Sequence, residues 1–146
     1  MTTDALIGSG GKFEIKEHDD ADFVEIPEVI GITPPSDTID VLEATHFGSP
    51  VQTREYILGL NDPGNADVTM NFIPGGPGDL KIQQVRSRRR VVDARITYPS
   101  VGDASAVTWT FQGILVGYEP DMPIDDKMTA VVSFKVTGSY VTGVAA

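Results

Sequence analysis

Only two histidines stand in the chain, and both sit near carboxylates. His18 precedes Asp19 and Asp20, a set that could ligate a metal, but the only other imidazole is the distant His46. His46 follows Asp40 and Glu43, and a His–carboxylate pair can move a proton. A lone histidine at a strand end serves equally as a cap or a solvated side chain. Cysteine is absent and no serine lies in a G-x-S-x-G elbow, so the familiar nucleophiles are missing. Gly75-Gly76-Pro77-Gly78 precedes a predicted helix, as phosphate loops do. However, no Lys-Ser/Thr follows it, and Pro74 and Pro77 remove amide donors that a phosphate needs. Asp62, Asn65 and Asp67 could face calcium, yet their spacing departs from the EF-hand. We assign no catalytic residue, metal ligand or cofactor.

The run Arg86-Ser87-Arg88-Arg89-Arg90 is the one basic patch. Without interleaved aromatics, on a chain of net charge −10, it is a poor nucleic-acid grip. It fits an acidic surface better. Arg86, Arg88, Arg89 and Arg90 are therefore candidates for ion pairs between copies. Their partners would be Asp19, Asp20 and Asp22, or Asp121, Asp125 and Asp126, in a head-to-tail contact. The alternative is a solvated helix end.

These residues need elements to hold them. The length of 146 residues favours one domain with a sizeable core and no need of a covalent staple. The first residues show no signal-peptide pattern, and no apolar run approaches a membrane span. The charge is uneven: eleven acids against two lysines through Glu43 place −9 of the −10 there. That bias means either a solvated face or a surface that repels nucleic acid at short range.

Residues 1–21 read as an N-terminal arm, glycine-rich at first and then a marginal strand at 12–17. Residues 23–32 are apolar and extended, but Pro27 demotes them to an edge strand. Residues 37–45 form a strand with mixed faces. Residues 46–66 make a long connection, extended at most over 54–58, whose Tyr56, Ile57, Leu58 and Leu60 suit an interaction loop. The alternative is that it folds back on its own core. Asp62-Pro63-Gly64 forces a turn, and Val68, Met70 and Phe72 then alternate as a half-buried strand over 67–73. Asp79 reads as the N-cap of the only helix, 80–89, with Leu80, Ile82 and Val85 as its apolar stripe. Strands follow at 92–98, from 107 to at least 115, and at 127–137. In the second of these, alternation makes Trp109 core. Residues 119–126 read as an acidic loop, and Gly138 ends the last strand before a short tail at 141–146. The fold class is mainly β: a β-sandwich or partial barrel with one flanking helix, its main domain at 22–140.

The segments VIGITPPS (29–36), DTIDVLEATH (37–46), REYILGLNDPG (54–64), WTFQGILVGY (109–118), PIDDKMTA (123–130) and FKVTG (134–138), in this order, resemble the major tail tube proteins of long-tailed, non-contractile, lambda-like bacteriophages. The resemblance spans most of residues 22–140. It implies subunits that form hexameric rings, with inner sheets joined into a continuous barrel, stacked into a tube through which the genome leaves. It implies ring-to-ring contacts from the long loop, here Arg54, Tyr56, Leu58, Leu60 and Asp62, and from the terminal arms. It also implies tail-tip initiator, terminator and tape-measure partners, and a place in the virion tail after assembly in the host cytoplasm. The chain resembles the tube domain alone, without the extra immunoglobulin-like domain of some relatives.

A conduit should not hold DNA, so carboxylates on the lumen side would help the duplex slide. Asp40, Asp67 and Asp93 are the candidates. Two other readings stay open. One is a different tail or injection-machine component, such as a terminator ring. The other is a β-sandwich binding module, which would want an exposed aromatic platform. An enzyme is not expected.

Overall fold

The structure is a computed structural model that describes residues 10–99 and 105–144. Nine strands and one helix follow in the order β1 (Lys12–Lys16), β2 (Val24–Glu25), β3 (Val29–Thr33), β4 (Thr38–Glu43), β5 (Tyr56–Asp62), β6 (Asn65–Asn71), α1 (Pro77–Arg88), β7 (Val92–Thr97), β8 (Val107–Asp121) and β9 (Thr129–Val144). Seven strands form one sheet in the order β2-β1-β7-β8-β9-β6-β3, while β4 and β5 pair only with each other. All pairs are antiparallel. The large sheet curls until β1 and β3 meet, an open, partly rolled barrel.

Alternation places the core. Every second residue of β6, β7 and the first half of β9 is buried, as period-two strands require. Phe13, Phe111 and Phe134 lie at the centre, and the Phe13 and Phe134 rings are 5.7 Å apart. Each such side chain contributes about 1.5–3 kcal/mol on burial. Ile82 and Val85 turn one face of α1 onto this core.

β8 pairs with β9 through two register shifts, the first between Thr110 and Gln112. Its register shifts again between Leu115 and Gly117, so the core face passes from odd positions (Phe111, Leu115) to an even one, Tyr118. Simple alternation does not foresee this switch, which is what aims Tyr118 at the helix.

Several expectations are corrected. Residues 12–16 are not part of a loose arm: Phe13 and Ile15 are fully buried, and β1 sits between β2 and β7. Residues 1–9 lie outside the described residues. The connection at 46–66 is shorter than expected, because 56–62 form β5 and β6 begins at Asn65. Gly76, not Asp79, is the helix N-cap, and it has no side-chain cap bond. Asp79 instead lies inside the first turn and accepts the Gly75 N–H at 3.0 Å. Leu80 is exposed, whereas Lys81 is buried. Glu119–Asp121 belong to β8, which leaves 122–128 as the connection. Gly138, at φ 77°, kinks β9 without ending it, so 141–144 are strand rather than tail.

Candidate self-association surfaces

Four surfaces stand out: a bare ribbon, a buried ion cluster, a polar sheet face, and a groove beside the helix. The ribbon is β4 paired with β5, from Thr38↔Asp62 to Glu43↔Tyr56. Asp62-Pro63-Gly64 roots it. Gly64 adopts φ 79°, its N–H donates to Asp62 Oδ1 at 3.0 Å, and its carbonyl accepts the Val136 N–H at 3.1 Å. Lys135 Nζ donates to the same Asp62 oxygen at 3.2 Å. The Gly64 amide first, and then Lys135, holds the Asp62 carboxyl below the usual carboxylate range.

Beyond that root the ribbon has no cover. Ile39, Val41, Leu42, Tyr56, Ile57, Leu58 and Leu60 are all exposed, with Leu60 at 84%. Its far end is an ordered turn. The Gly48 N–H donates to His46 Nδ1 and the Ser49 hydroxyl to Glu55 Oε2, both at 3.0 Å. His46 thus organises the turn and lies 3.4 Å from Glu55, not beside Asp40 or Glu43. Phe47 and Val51 project from this end fully open to solvent. The expected contact residues Tyr56, Leu58, Leu60 and Asp62 are on β5, and Arg54 lies just before it. The sequence reading missed Phe47 and Val51. A phenylalanine set just before Gly48-Ser49-Pro50 was the available signal.

The ion cluster joins β1 to the helix. Glu17 Oε2 accepts from Lys81 Nζ at 3.2 Å and from Arg88 Nη1 at 2.9 Å. Lys81 also reaches Asp20 Oδ2 at 2.7 Å, and Arg90 reaches Asp19 at 3.1 Å. Lys81 first, and then the Glu17 N–H, holds the Asp20 carboxyl below its ordinary range. The cations gathered near the helix C-terminus also oppose its dipole. Asp19, Asp20, Arg88 and Arg90, expected to pair between copies, are thus paired within one chain. Glu17 and Lys81 went unnoticed because residues 64 apart carry no local pattern. Asp22, Arg86, Arg89, Asp125 and Asp126 make no ion pair among the described residues.

The outward face of the seven-stranded sheet is polar along β1, β6 and β7. Asp67 and Asp93 both lie on it, opposite Ser133 and Gln112. Lys16 stands opposite Asp93, and Arg95 opposite Glu14, with a two-pronged ion pair at 2.7 and 3.2 Å. Of these charges Glu14 and Arg95 form an ion pair, while Asp67, Asp93 and Lys16 form none among the described residues. Asp40 is elsewhere: it sits at the register shift of the ribbon, on the smaller sheet.

The groove runs between α1 and β8, about 780 Å³ in volume. Arg86 and Arg89 edge it, Ile114 and Val116 form its apolar wall, and Asp79 and Tyr118 lie at its base. At the other end of β8, Trp109 is half-buried rather than core. It stacks on Tyr140 at 4.8 Å and meets the Tyr98 ring edge-on at 5.4 Å. Among the described residues, no three His, Asp or Glu side chains gather to hold a metal. Nor is any described helix long and apolar enough to cross a membrane.

A family model described as "Lambda phage tail tube protein, TTP" matches residues 7–143. No curated protein gives a significant match. Solved structures share the fold, among them these three. The first is a chain from the tail of an empty gene transfer agent particle, solved with C6 symmetry. It is 12% identical with TM-score 0.74, over 97% of this chain and 100% of that one. The second is from the sheath/tube terminator of an extracellular contractile injection system. It is 10% identical with TM-score 0.74, over 98% and 99%. The third is the SPP1 tail tube, 14% identical with TM-score 0.66, over 97% and 80%.

Proposed function

We propose, from the premise that this chain belongs to the lambda phage tail tube protein family, that its copies form rings which stack into the tail tube and guide the genome out. The carrying observation is the β4–β5 ribbon. It exposes apolar side chains along both strands and at its far end. Monomeric proteins seldom expose so continuous an apolar surface, and in assembly a neighbouring subunit covers it. Tyr56, Leu58 and Leu60 make the ring-to-ring contact, with Phe47 at its leading end. Six subunits per ring agrees with the C6 symmetry of the gene transfer agent tail.

The polar face of the large sheet lines the lumen. The carboxylates and threonines there give passing DNA and the tape-measure protein little to grip, because tight DNA binding needs many free Lys and Arg side chains. Asp67 and Asp93 belong to this lining. Initiator and terminator proteins meet the two ends of the tube, and assembly takes place in the host cytoplasm. The chain's role is structural rather than catalytic.

A terminator ring is the second reading, supported by the likeness to the injection-system terminator. Negative-stain electron microscopy at rising protein concentration, with and without a tail-tip initiator, separates the two. Tubes of uniform width support the tube reading, and single rings that never stack support the terminator. A strictly monomeric protein under both conditions refutes both.

A further inference from the structure

We propose that the groove between α1 and β8 receives the 122–126 loop of a second copy, a contact that rests on the self-assembly proposed above. The groove is amphipathic. Ile114 and Val116 are 40% and 64% exposed along one wall, while Arg86 and Arg89 on the helix side have no acid partner among the described residues. Arg89 also sits at φ 51°, the left-handed helix-end position where glycine or asparagine is cheaper. A bulky cation held there at some cost points to use of its charge.

The loop has the complementary order. Met122 and Ile124 are 80% and 103% exposed, and Asp125 and Asp126 follow without ion partners among the described residues. Two apolar side chains then two carboxylates match an apolar wall edged by two guanidinium groups, which bind carboxylates in pairs. Its own groove does not take the loop. β8 and β9 stay paired out to Asp121↔Thr129, so the loop leaves from the end of that hairpin, with Ile124 fully exposed. A second copy satisfies both halves at once, and a head-to-tail contact of this kind repeats along a ring or tube.

The chain has no cysteine, which makes the test direct. Val116→Cys and Ile124→Cys proteins are prepared separately, mixed under assembly conditions and mildly oxidised. The mixture should give cross-linked dimer at about tenfold the yield of either variant alone. Tubes or rings without that cross-link overturn this contact and leave the self-assembly reading standing. Neither assembly nor cross-link overturns both. A cross-link from Val116→Cys to Phe47→Cys instead overturns the loop as occupant in favour of the ribbon.

A charge exchange checks the same contact independently. Arg86→Asp with Arg89→Asp should raise the concentration needed for assembly about tenfold, with unchanged melting. Adding Asp125→Arg and Asp126→Arg to the same chain should restore it. No loss, or a loss that the second pair deepens, refutes the pairing.

Discussion

Glu17 and Lys81 meet at 3.2 Å although they are 64 residues apart, and Glu17 is only 2% exposed. Arg88 binds the same carboxylate oxygen, while Glu17 Oε1 is buried without a partner. The pair ties the end of β1 to the middle of α1. It thereby holds the N-terminal strand against the sheet on which the ribbon and groove depend.

Removing one partner of a buried ion pair strands the other. Lys81→Met should therefore cost about 3 kcal/mol or more in urea unfolding. A loss below about 1 kcal/mol would mean that Arg88 alone satisfies Glu17.

Asp79 contributes to the acid limb of stability. Burial pushes its carboxyl up, but the Gln83 amide, the Gly75 N–H and Tyr118 together outweigh that and hold it below the ordinary range. A carboxyl lowered in the folded state stabilises fully above about pH 4, and that share is lost as pH falls through the folded value. Asp79→Asn should therefore cost stability at pH 7, with the gap to the parent closing below about pH 4. Tyr118→Phe, which removes a 2.8 Å hydrogen bond to Asp79, should cost about 1–2 kcal/mol at neutral pH. Denaturant titrations across pH 3–7 measure both; a gap that widens in acid refutes the assignment.

Gly64 is irreplaceable on two counts. Its φ of 79° disfavours any side chain, and a Cβ would run into the Ser36 carbonyl oxygen. Gly64→Ala should cost about 2 kcal/mol, a fall of roughly 5 °C in Tm. An unchanged melt would show that the turn relaxes freely.

The ribbon should separate assembly from folding. Leu58→Asp and Leu60→Asp alter side chains that the chain itself does not cover, so melting should move by no more than about 0.5 kcal/mol. Tubes should nevertheless disappear by sedimentation and microscopy. Normal tubes from the double variant would remove the ribbon from ring stacking.

The lumen assignment predicts a gain of DNA binding. Asp67→Lys with Asp93→Lys should make assembled tubes retain duplex DNA, with a steeper fall in affinity as salt rises. No retention at low salt would place that face away from the lumen.

Much of the architecture was readable from short-range pattern. Alternation located β6, β7, most of β8 and the first half of β9, and Asp62-Pro63-Gly64 located the turn that roots the ribbon. The apolar side chains of 56–60 marked an interaction segment even though its strand was not foreseen. Among the described strands β5 pairs with β4 alone, across a turn whose closure depends on bonds among His46, Ser49 and Glu55. No local period announces that pairing.

Composition, turn residues and strand alternation determined a cysteine-free, acidic, β-rich chain with one helix, and the ordered motifs pointed to its family. These properties reside in neighbouring residues, where φ preferences and a two-residue period act. Tertiary structure alone decided three things. It chose which charges are spent inside the chain: Lys81, Arg88 and Arg90 meet Glu17, Asp19 and Asp20, while Arg86 and Arg89 meet no acid among the described residues. It set the bulge that turns Tyr118 toward Asp79, and it left the β4–β5 ribbon outside the core. Each depends on where distant segments meet as the sheet curls, and contacts of that range follow from packing the whole core.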